Sequence, residues 1–238
     1  MKKAEFYSNG YYAGLAPESR FREVMTMLGK LKGERLLDIG CGDGSFTVLL
    51  KEALGAKEAA GIEIASEAIT AVEEKGIRAC QLDIDTEPYP FDDDYFDVIY
   101  CGEIIEHLFN PDHLLEEVYR TLKPEGICLI STPNLAGWPN RFALLLGFQP
   151  YPTAVSPSHE GMGKLIVKDS EGQWGHIRVF TLRALKELLE FYNFRIIKVK
   201  GSTSTITSGK LPAVSLVDKL FSHIPSLATR VIVMVGKK

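Results

Sequence analysis

Three carboxylates stand where short apolar runs of the sequence end. Asp38 lies inside the run 36–39, immediately before a glycine-rich turn, while Glu63 and Asp83 follow two later apolar runs. A carboxylate attracts an ammonium group by charge and accepts hydrogen bonds from hydroxyl and amine groups. We therefore expect these three side chains to bind the donor groups of one polar ligand.

Gly40, Gly42 and Gly44 alternate in the turn that follows Asp38. Glycine adopts left-handed backbone conformations and lets the chain approach a ligand closely. A dinucleotide-binding turn reads G-x-G-x-x-G, whereas this turn reads G-x-G-x-G, and the carboxylate beside it would repel a pyrophosphate. The pattern favours a nucleoside ligand that carries a positive charge, so a nicotinamide-dependent dehydrogenase is a weaker alternative.

One cofactor, S-adenosylmethionine, offers a partner to each carboxylate. Its ammonium suits Asp38, its ribose diol suits Glu63, and its adenine amine suits Asp83. Glu63 also stands about 20 residues after the turn, the offset at which an acidic side chain binds a ribose in dinucleotide folds. An alternative for Asp38 is that it accepts hydrogen bonds from the N–H groups of the turn itself.

Glu103, Glu106 and His107 form a second group with chemical potential. They stand at i, i+3 and i+4, so on a helix they share one face. His107 is then a candidate general base for a hydroxyl acceptor, because imidazole titrates near neutral pH. The same three side chains could instead hold a divalent ion, or could simply line a pocket. We expect His107 to be catalytic and no metal to be bound.

Alternating strands and helices are predicted to position both groups. Apolar runs bounded by glycine and proline predict strands at 35–39, 60–64, 77–82, 96–101, 127–131, 195–199 and 230–235. Apolar residues at helical spacing predict helices at 17–32, 45–54, 66–75, 111–122, 181–192 and 212–222. This alternation is typical of an α/β protein with one open, largely parallel sheet covered on both faces. Ligands of such sheets bind at the carboxyl ends of the strands.

Residues 133–178 interrupt the alternation with several prolines and glycines and one apolar stretch at 141–148. We interpret them as an inserted lid or acceptor-binding segment within a single domain that spans 1–238 and begins with a helical leader at 1–32. The apolar stretch favours a lid over a hydrophobic acceptor or a shallow, peripheral membrane contact, with ordinary core packing as the alternative.

Composition narrows the classes of function. The chain has 238 residues, of which 45% are hydrophobic and 24% charged, and a net charge of −4, so we expect an ordinary globular protein with no nucleic-acid partner. No apolar run approaches the roughly 20 residues needed to cross a bilayer. We therefore expect no transmembrane segment and no signal peptide. The four cysteines form no C-x-x-C pair, which favours reduced thiols and a cytoplasmic location.

The order of these motifs resembles the class I S-adenosylmethionine-dependent methyltransferases, in particular the small-molecule enzymes of the methyltransferase domain 11 type. The segments that carry the resemblance are 37–44, 61–63, 82–84, 96–101 and 122–131. It implies a Rossmann-like sheet of seven strands in the order 3-2-1-4-5-7-6, with the last strand antiparallel. It also implies cofactor contacts at Asp38, Gly40, Cys41, Gly42, Glu63, Ile64, Asp83, Ile84 and Cys101.

We therefore predict an enzyme that transfers a methyl group from S-adenosylmethionine to a small-molecule or lipid-like acceptor and releases S-adenosylhomocysteine. The segment 103–107 also resembles the metal site of RNA 3′-end 2′-O-methyltransferases and of ubiquinone-pathway O-methyltransferases. One alternative is thus metal-assisted 2′-O-methylation of RNA ends by Glu103, Glu106 and His107, with His159 or His176 as a fourth ligand. Another is a non-catalytic sensor of S-adenosylmethionine.

Overall fold

The sheet of this protein has seven strands, seen in a computed structural model that describes residues 19–156, 159, 161–165, 175–203 and 212–238. The strands are β1 (Arg35–Ile39), β2 (Glu58–Glu63), β3 (Arg78–Gln81), β4 (Phe96–Gly102), β5 (Leu122–Pro133), β6 (Phe194–Ser202) and β7 (Arg230–Lys237). Their order is β3-β2-β1-β4-β5-β7-β6. The first five strands pair in parallel, and β7 runs antiparallel to both of its neighbours. The predicted fold class and strand order are confirmed.

Helices connect and cover the strands. They are α1 (Ser19–Leu28), α2 (Ser45–Leu54), α3 (Ser66–Glu74), α4 (Pro111–Thr121), α5 (Trp138–Leu145), α6 (Leu182–Phe191) and α7 (Pro212–Ser222), with a 3₁₀ turn at Ile105–His107. Local chemistry sets several of the ends. The Thr181 hydroxyl accepts a hydrogen bond from the backbone N–H of Ala184 at the start of α6, and Asn193 follows that helix in a left-handed conformation (φ 61).

The core consists of two apolar layers, one on each face of the sheet. Leu36 belongs to the layer that contains Val24 of α1 and Leu50 of α2, whereas Leu37 belongs to the layer that contains Leu114 of α4 and Leu185 of α6. Successive residues of a strand point to opposite faces, so Asp38 shares the face of Leu36 and lies on the side of α1 and α2. The strand thereby aims one carboxylate toward the helix that follows the glycine turn.

The 133–178 segment contains more regular structure than the sequence indicates. β5 extends to Pro133, helix α5 follows, and an isolated bridge joins Asn134 to Phe180. Several residues of the segment, 157, 158, 160 and 166–174, lie outside the described residues, as do 1–18 of the leader. Within the described ranges, no helix combines the length and the apolar character needed to span a bilayer.

Candidate functional site

The glycine turn connects β1 to α2, and its backbone contacts the carboxyl end of β2. Gly40, Gly42 and Gly44 all have positive φ, at 73°, 57° and 76°. The backbone N–H groups of Gly40 and Cys41 donate to the carbonyl oxygen of Ile62, at 2.8 and 3.1 Å. A Cβ atom at position 40 would overlap the side chain of Ile104. The turn therefore requires glycine both for its backbone conformation and for the close approach of the chain segment after β4.

Glu63, at the end of β2, binds the turn from the side. Its buried carboxylate accepts hydrogen bonds from the backbone N–H groups of Gly42 (3.0 Å), Ile64 (2.8 Å) and Ala65 (3.1 Å). The sequence suggested Asp38 as an acceptor for the N–H groups of the turn. In the structure, Glu63 accepts a hydrogen bond from one of these groups, the N–H of Gly42. Strand β2 thereby holds the backbone of the turn in place with a negative charge beside it.

Asp38 has a different partner. Its carboxylate is buried and accepts a hydrogen bond of 2.6 Å from the hydroxyl of Thr47, which lies on α2. Burial raises the pKa of Asp38 to about 7, although the Thr47 hydrogen bond and the charge of Arg20 both act to lower it. A cation that entered the site would favour the ionised form of this side chain.

The loop after β3 lies beside Glu63. The backbone N–H of Leu82 donates to the carbonyl oxygen of Glu63 at 3.3 Å, which brings the following Asp83 and Ile84 to the same edge of the sheet. Asp83 is half-buried, and its carboxylate accepts a hydrogen bond from the backbone N–H of Asp85 at 3.1 Å. Ile84 packs partly buried against the apolar core.

Cys41 and Cys101 are buried thiols of the same region. Cys101 pairs with Ile39 of β1 and with Ile130 of β5, and its side chain is enclosed in the core. Burial raises the pKa of both thiols above their ordinary value. Neither side chain is therefore a thiolate near neutral pH, and both offer apolar sulfur rather than a nucleophile.

Glu103 does not share a helix face with Glu106 and His107, so that expectation is wrong. Glu103 has a positive φ of 58°, and the helical turn that follows covers three residues, Ile105–His107. The Glu103 carboxylate lies 2.7 Å from Arg230 Nε, 3.0 Å from the Ser131 hydroxyl and 3.7 Å from Arg20 Nη1. The two guanidinium charges draw it away from its neighbours in sequence and hold its pKa low, against the opposing effect of burial.

Glu106 is deeply buried, at 1% exposure. Its Oε2 accepts a hydrogen bond from the Thr132 hydroxyl at 2.9 Å, and its Oε1 has no hydrogen-bond partner among the described residues. Burial, together with the charge of Glu103, raises the pKa of Glu106 well above its ordinary value. A protonated Glu106 would be a hydrogen-bond donor inside the site.

His107 meets His176, which comes from the end of the 133–178 segment. The two ring centroids lie 4.7 Å apart, with an angle of 63° between the ring planes. The carbonyl oxygen of Glu106 accepts hydrogen bonds from the N–H groups of Ile177 and Arg178, which fastens this segment to the 3₁₀ turn. The Nδ1 atom of His176 lies 2.9 Å from the carbonyl oxygen of Pro152, and burial lowers the pKa of His176.

Potential metal ligands come together at this point. One ligand atom from each of Glu106, His107 and His176 lies within 4.8 Å of the others. Of the two histidines expected as an additional ligand, His176 belongs to this group, whereas His159 is exposed and lies outside it. Glu103 lies outside it as well. The group can thus either move a proton or coordinate a cation.

Arg20 and Arg230 are site residues that the sequence analysis missed. They contact Glu103 from opposite ends of the chain, so no short-range spacing connects them. One signal was present, since Arg20 stands four residues before Val24 and eight before Leu28 on the buried stripe of α1. A charge on an apolar stripe indicates a buried partner.

Comparisons with known proteins place this chain in a family. The sequence profile of a family described as a methyltransferase domain matches residues 12–199. A demethylmenaquinone methyltransferase of Staphylococcus aureus is 30% identical over 200 residues, which cover 79% of this chain and 78% of that protein.

Solved structures share the fold over nearly the whole chain. A protein solved in complex with the Haloferax volcanii Trm112 methyltransferase activator has a TM-score of 0.68 at 15% identity, covering 100% of this chain and 99% of the other. An S-adenosylmethionine-dependent methyltransferase of Thermotoga maritima has a TM-score of 0.61 at 18% identity, covering 98% and 92%. The chain therefore belongs to the S-adenosylmethionine-dependent methyltransferases of the class I fold, and S-adenosylmethionine is its cofactor.

Proposed function

We propose that this methyltransferase acts on a small, lipid-like acceptor. The observation that carries the proposal is the similarity over 79% of the chain to an enzyme named for demethylmenaquinone. The exposed apolar side chains of the 133–178 segment support it, because an apolar acceptor needs an apolar surface on which to bind. In this proposal the segment forms the acceptor-binding part of a single domain, and helix α1 packs in the apolar layer on the face of the sheet that carries Asp38.

The cofactor is proposed to bind along the carboxyl edge of β1, β2 and β3. Asp38 takes the ammonium, Glu63 the ribose diol and Asp83 the adenine amine, while Gly40, Cys41, Gly42, Ile64, Ile84 and Cys101 line the same edge. A carboxylate accepts hydrogen bonds at both oxygens, so Glu63 is a suitable acceptor for a ribose hydroxyl beside its backbone donors. The buried carboxylates beside the turn fit a cationic nucleoside and oppose a pyrophosphate.

Arg20 is a candidate partner for the carboxylate of the cofactor. Its charge acts on Asp38, and it lies 3.7 Å from Glu103. The methionine part of the cofactor carries one positive and one negative group, so a site with Asp38 and Arg20 side by side offers one partner to each.

His107 is proposed as the general base when the acceptor is a hydroxyl. A sulfonium is already a good leaving group, so the protein needs chiefly to hold the acceptor in line with the methyl group and to remove its proton. His176 packs edge-to-face against His107 from the acceptor-binding segment, which supports a role for this pair in both tasks.

Methyl-labelled S-adenosylmethionine tests the proposal. The purified protein is incubated with host extract, which is then separated into lipid, small-molecule, protein and RNA fractions, with and without a chelator. We expect label in the lipid or small-molecule fraction. Label confined to protein or RNA would contradict the proposal, and S-adenosylmethionine bound without any transfer would favour a sensor.

A metal-assisted reaction on RNA ends is the second candidate. The clustering of Glu106, His107 and His176 favours it, because a carboxylate and two imidazoles are common ligands of divalent cations. The pairing of Glu103 with two arginines and the net charge of −4 count against it. Transfer that continues unchanged in the presence of a chelator would exclude this candidate, and chelator-sensitive label in RNA would replace the first one.

A further inference from the structure

Helices α5 and α7 form one surface near the carboxyl edge of the sheet. The indole of Trp138 lies 5.9 Å from the ring of Phe221 and donates a hydrogen bond of 2.9 Å to the buried carboxylate of Asp218. The backbone N–H of Trp138 also donates to the carbonyl oxygen of Leu227 at 2.8 Å. These contacts join the two helices, although about 70 residues separate them in the chain.

This surface exposes an apolar patch, which we name the α5–α7 patch. Its members are large aliphatic or aromatic side chains that are at least one third exposed: Phe142, Leu144, Leu145, Leu146, Leu216, Val217, Leu220 and Ile224. Leu145 is 81% exposed and Leu216 is 70% exposed. Scattered apolar residues are normal on a protein surface, but a group of eight on two adjoining helices and the residues just after them is typical of a binding surface.

The charges around the patch are positive. Arg141 on α5 and Lys219 on α7 are exposed, and Lys164 is half-exposed. In the described parts of 134–165 and 212–229, Asp218 is the one acidic residue, and it is buried against Trp138. This local excess of positive charge contrasts with the net charge of −4 of the whole chain. Apolar side chains accompanied by basic ones match the surface of an anionic lipid bilayer.

The patch is connected to the cluster of Glu106, His107 and His176. The side-chain oxygen of Asn140 on α5 accepts a hydrogen bond from the backbone N–H of Tyr151 at 3.0 Å. The next residue, Pro152, has its carbonyl oxygen 2.9 Å from Nδ1 of His176, and the ring of His176 packs edge-to-face against His107. A surface bound at α5 is therefore close in the structure to the acceptor side of the site.

We propose that the α5–α7 patch docks on the surface of an anionic membrane, so that an apolar acceptor reaches the site from the bilayer. The role of the acceptor rests on the proposed function, whereas the docking itself can be measured without any methyl transfer. A second copy of the chain fits the patch less well, because an interface between two identical patches would bring together basic side chains from both copies and no exposed acidic side chain of the two described helices.

Vesicle flotation of the purified full chain tests the docking. We expect the chain to float with vesicles of phosphatidylcholine and phosphatidylglycerol, to bind pure phosphatidylcholine more weakly, and to dissociate as salt is raised. The double variant Leu145→Glu/Leu220→Glu should bind at least about tenfold more weakly, because two apolar anchors become acidic. Arg141→Glu/Lys219→Glu should lose the preference for the anionic lipid.

The matched control is Phe191→Glu, which also places an acid on an exposed apolar site (76% exposed). Phe191 ends α6 next to the start of β6, at the edge of the sheet opposite to the patch, so this variant should float like the wild type. Cofactor affinity, measured for every variant, verifies that each one is folded.

Absence of binding to anionic vesicles, or equal loss in Phe191→Glu, would overturn the docking proposal. A dimer that Leu145→Glu/Leu220→Glu dissociates, without any vesicle binding, would overturn it in favour of a second copy. Vesicle binding without transfer of label to any lipid or small molecule would contradict the proposed function and leave the docking standing. Transfer of label to a lipid or small molecule without vesicle binding would support the proposed function and contradict the docking.

Discussion

At the scale of single residues, the two buried carboxylates beside the glycine turn have different tasks. Glu63 accepts three backbone hydrogen bonds and therefore stabilises the turn even without a ligand. Asp38 accepts one hydrogen bond, from the Thr47 hydroxyl, and its burial raises its pKa to about 7. The first side chain thus has a structural role besides the proposed contact with a ribose, whereas the second would ionise if the proposed ammonium group bound beside it.

Asp38 should couple cofactor binding to pH. Its pKa is raised in the folded protein, so its burial favours the folded state most below pH 4, and this contribution is lost as the pH rises toward about 7. An ammonium favours the carboxylate, so cofactor binding near pH 6 should release up to about one proton. Calorimetry in buffers of different ionisation enthalpy measures this release.

In Asp38→Asn the proton release should disappear and the affinity should fall. Asn keeps the size of the side chain and can still accept from the Thr47 hydroxyl. Equal proton release in the wild type and in this variant would show that another group titrates on binding.

Glu63→Ala should weaken cofactor binding by about 1–3 kcal/mol, because the ribose diol loses its acceptor. The free energy of unfolding should fall as well, since the N–H groups of Gly42 and Ala65 lose a buried partner. Titration calorimetry and urea unfolding measure the two effects. Glu67→Ala, an exposed acid in the first turn of α3, is the control, and an unchanged affinity in Glu63→Ala would refute the assignment of the ribose.

At the scale of elements, the turn between β1 and α2 and the segment after β4 depend on each other. Gly40 lies under the side chain of Ile104, and Glu103 adopts a left-handed conformation just before it. The two residues that follow Gly102 of β4 thus point to different partners. The Glu103 carboxylate contacts Arg230 of β7, and the Ile104 side chain lies over the turn. Packing between elements decides these positions, not helical periodicity within residues 103–107.

Gly40→Ala should impair both stability and cofactor binding for two separable reasons. A positive φ costs a non-glycine residue roughly 1–2 kcal/mol, and the new Cβ also collides with Ile104. In the double variant Gly40→Ala/Ile104→Ala the collision is relieved while the backbone cost remains. A double-mutant cycle of unfolding free energies should therefore show a coupling between the two positions, and strict additivity would contradict the contact.

At the scale of the whole molecule, the site is assembled from both ends of the chain. Arg20 near the start and Arg230 near the end both contact Glu103 in the middle. The leader helix α1 is part of the core, with Val24, Met27 and Leu28 buried. A ligand that contacts Arg20, Asp38 and Glu63 would therefore stabilise the entire fold rather than one loop.

Cofactor binding should raise the free energy of unfolding by about 2.7 kcal/mol at a hundredfold excess over Kd. Thermal unfolding with and without S-adenosylhomocysteine measures the gain. Arg20→Leu should gain much less at the same ligand concentration, because a partner of the cofactor carboxylate is lost. A gain equal to that of the wild type would mean that Arg20 serves only the ion pair with Glu103.

Local sequence by itself determined the strands, the turn and the location of Asp38 and Glu63 at the same edge of the sheet. A left-handed turn needs glycine, and consecutive parallel strands end at the same edge of a sheet, so neighbours in motif order become neighbours in space. The resemblance to a known family added the strand order 3-2-1-4-5-7-6, which periodicity does not contain.

Only the tertiary structure decided which side chains meet across distant segments. The pairing of Glu103 with Arg20 and Arg230, the edge-to-face contact of His176 with His107, and the joining of α5 to α7 each connect residues far apart in sequence. Buried charges seek partners wherever the chain brings them, and apolar helices pack wherever surface is left to cover. These forces act through space, so neither residue spacing nor periodicity records their outcome.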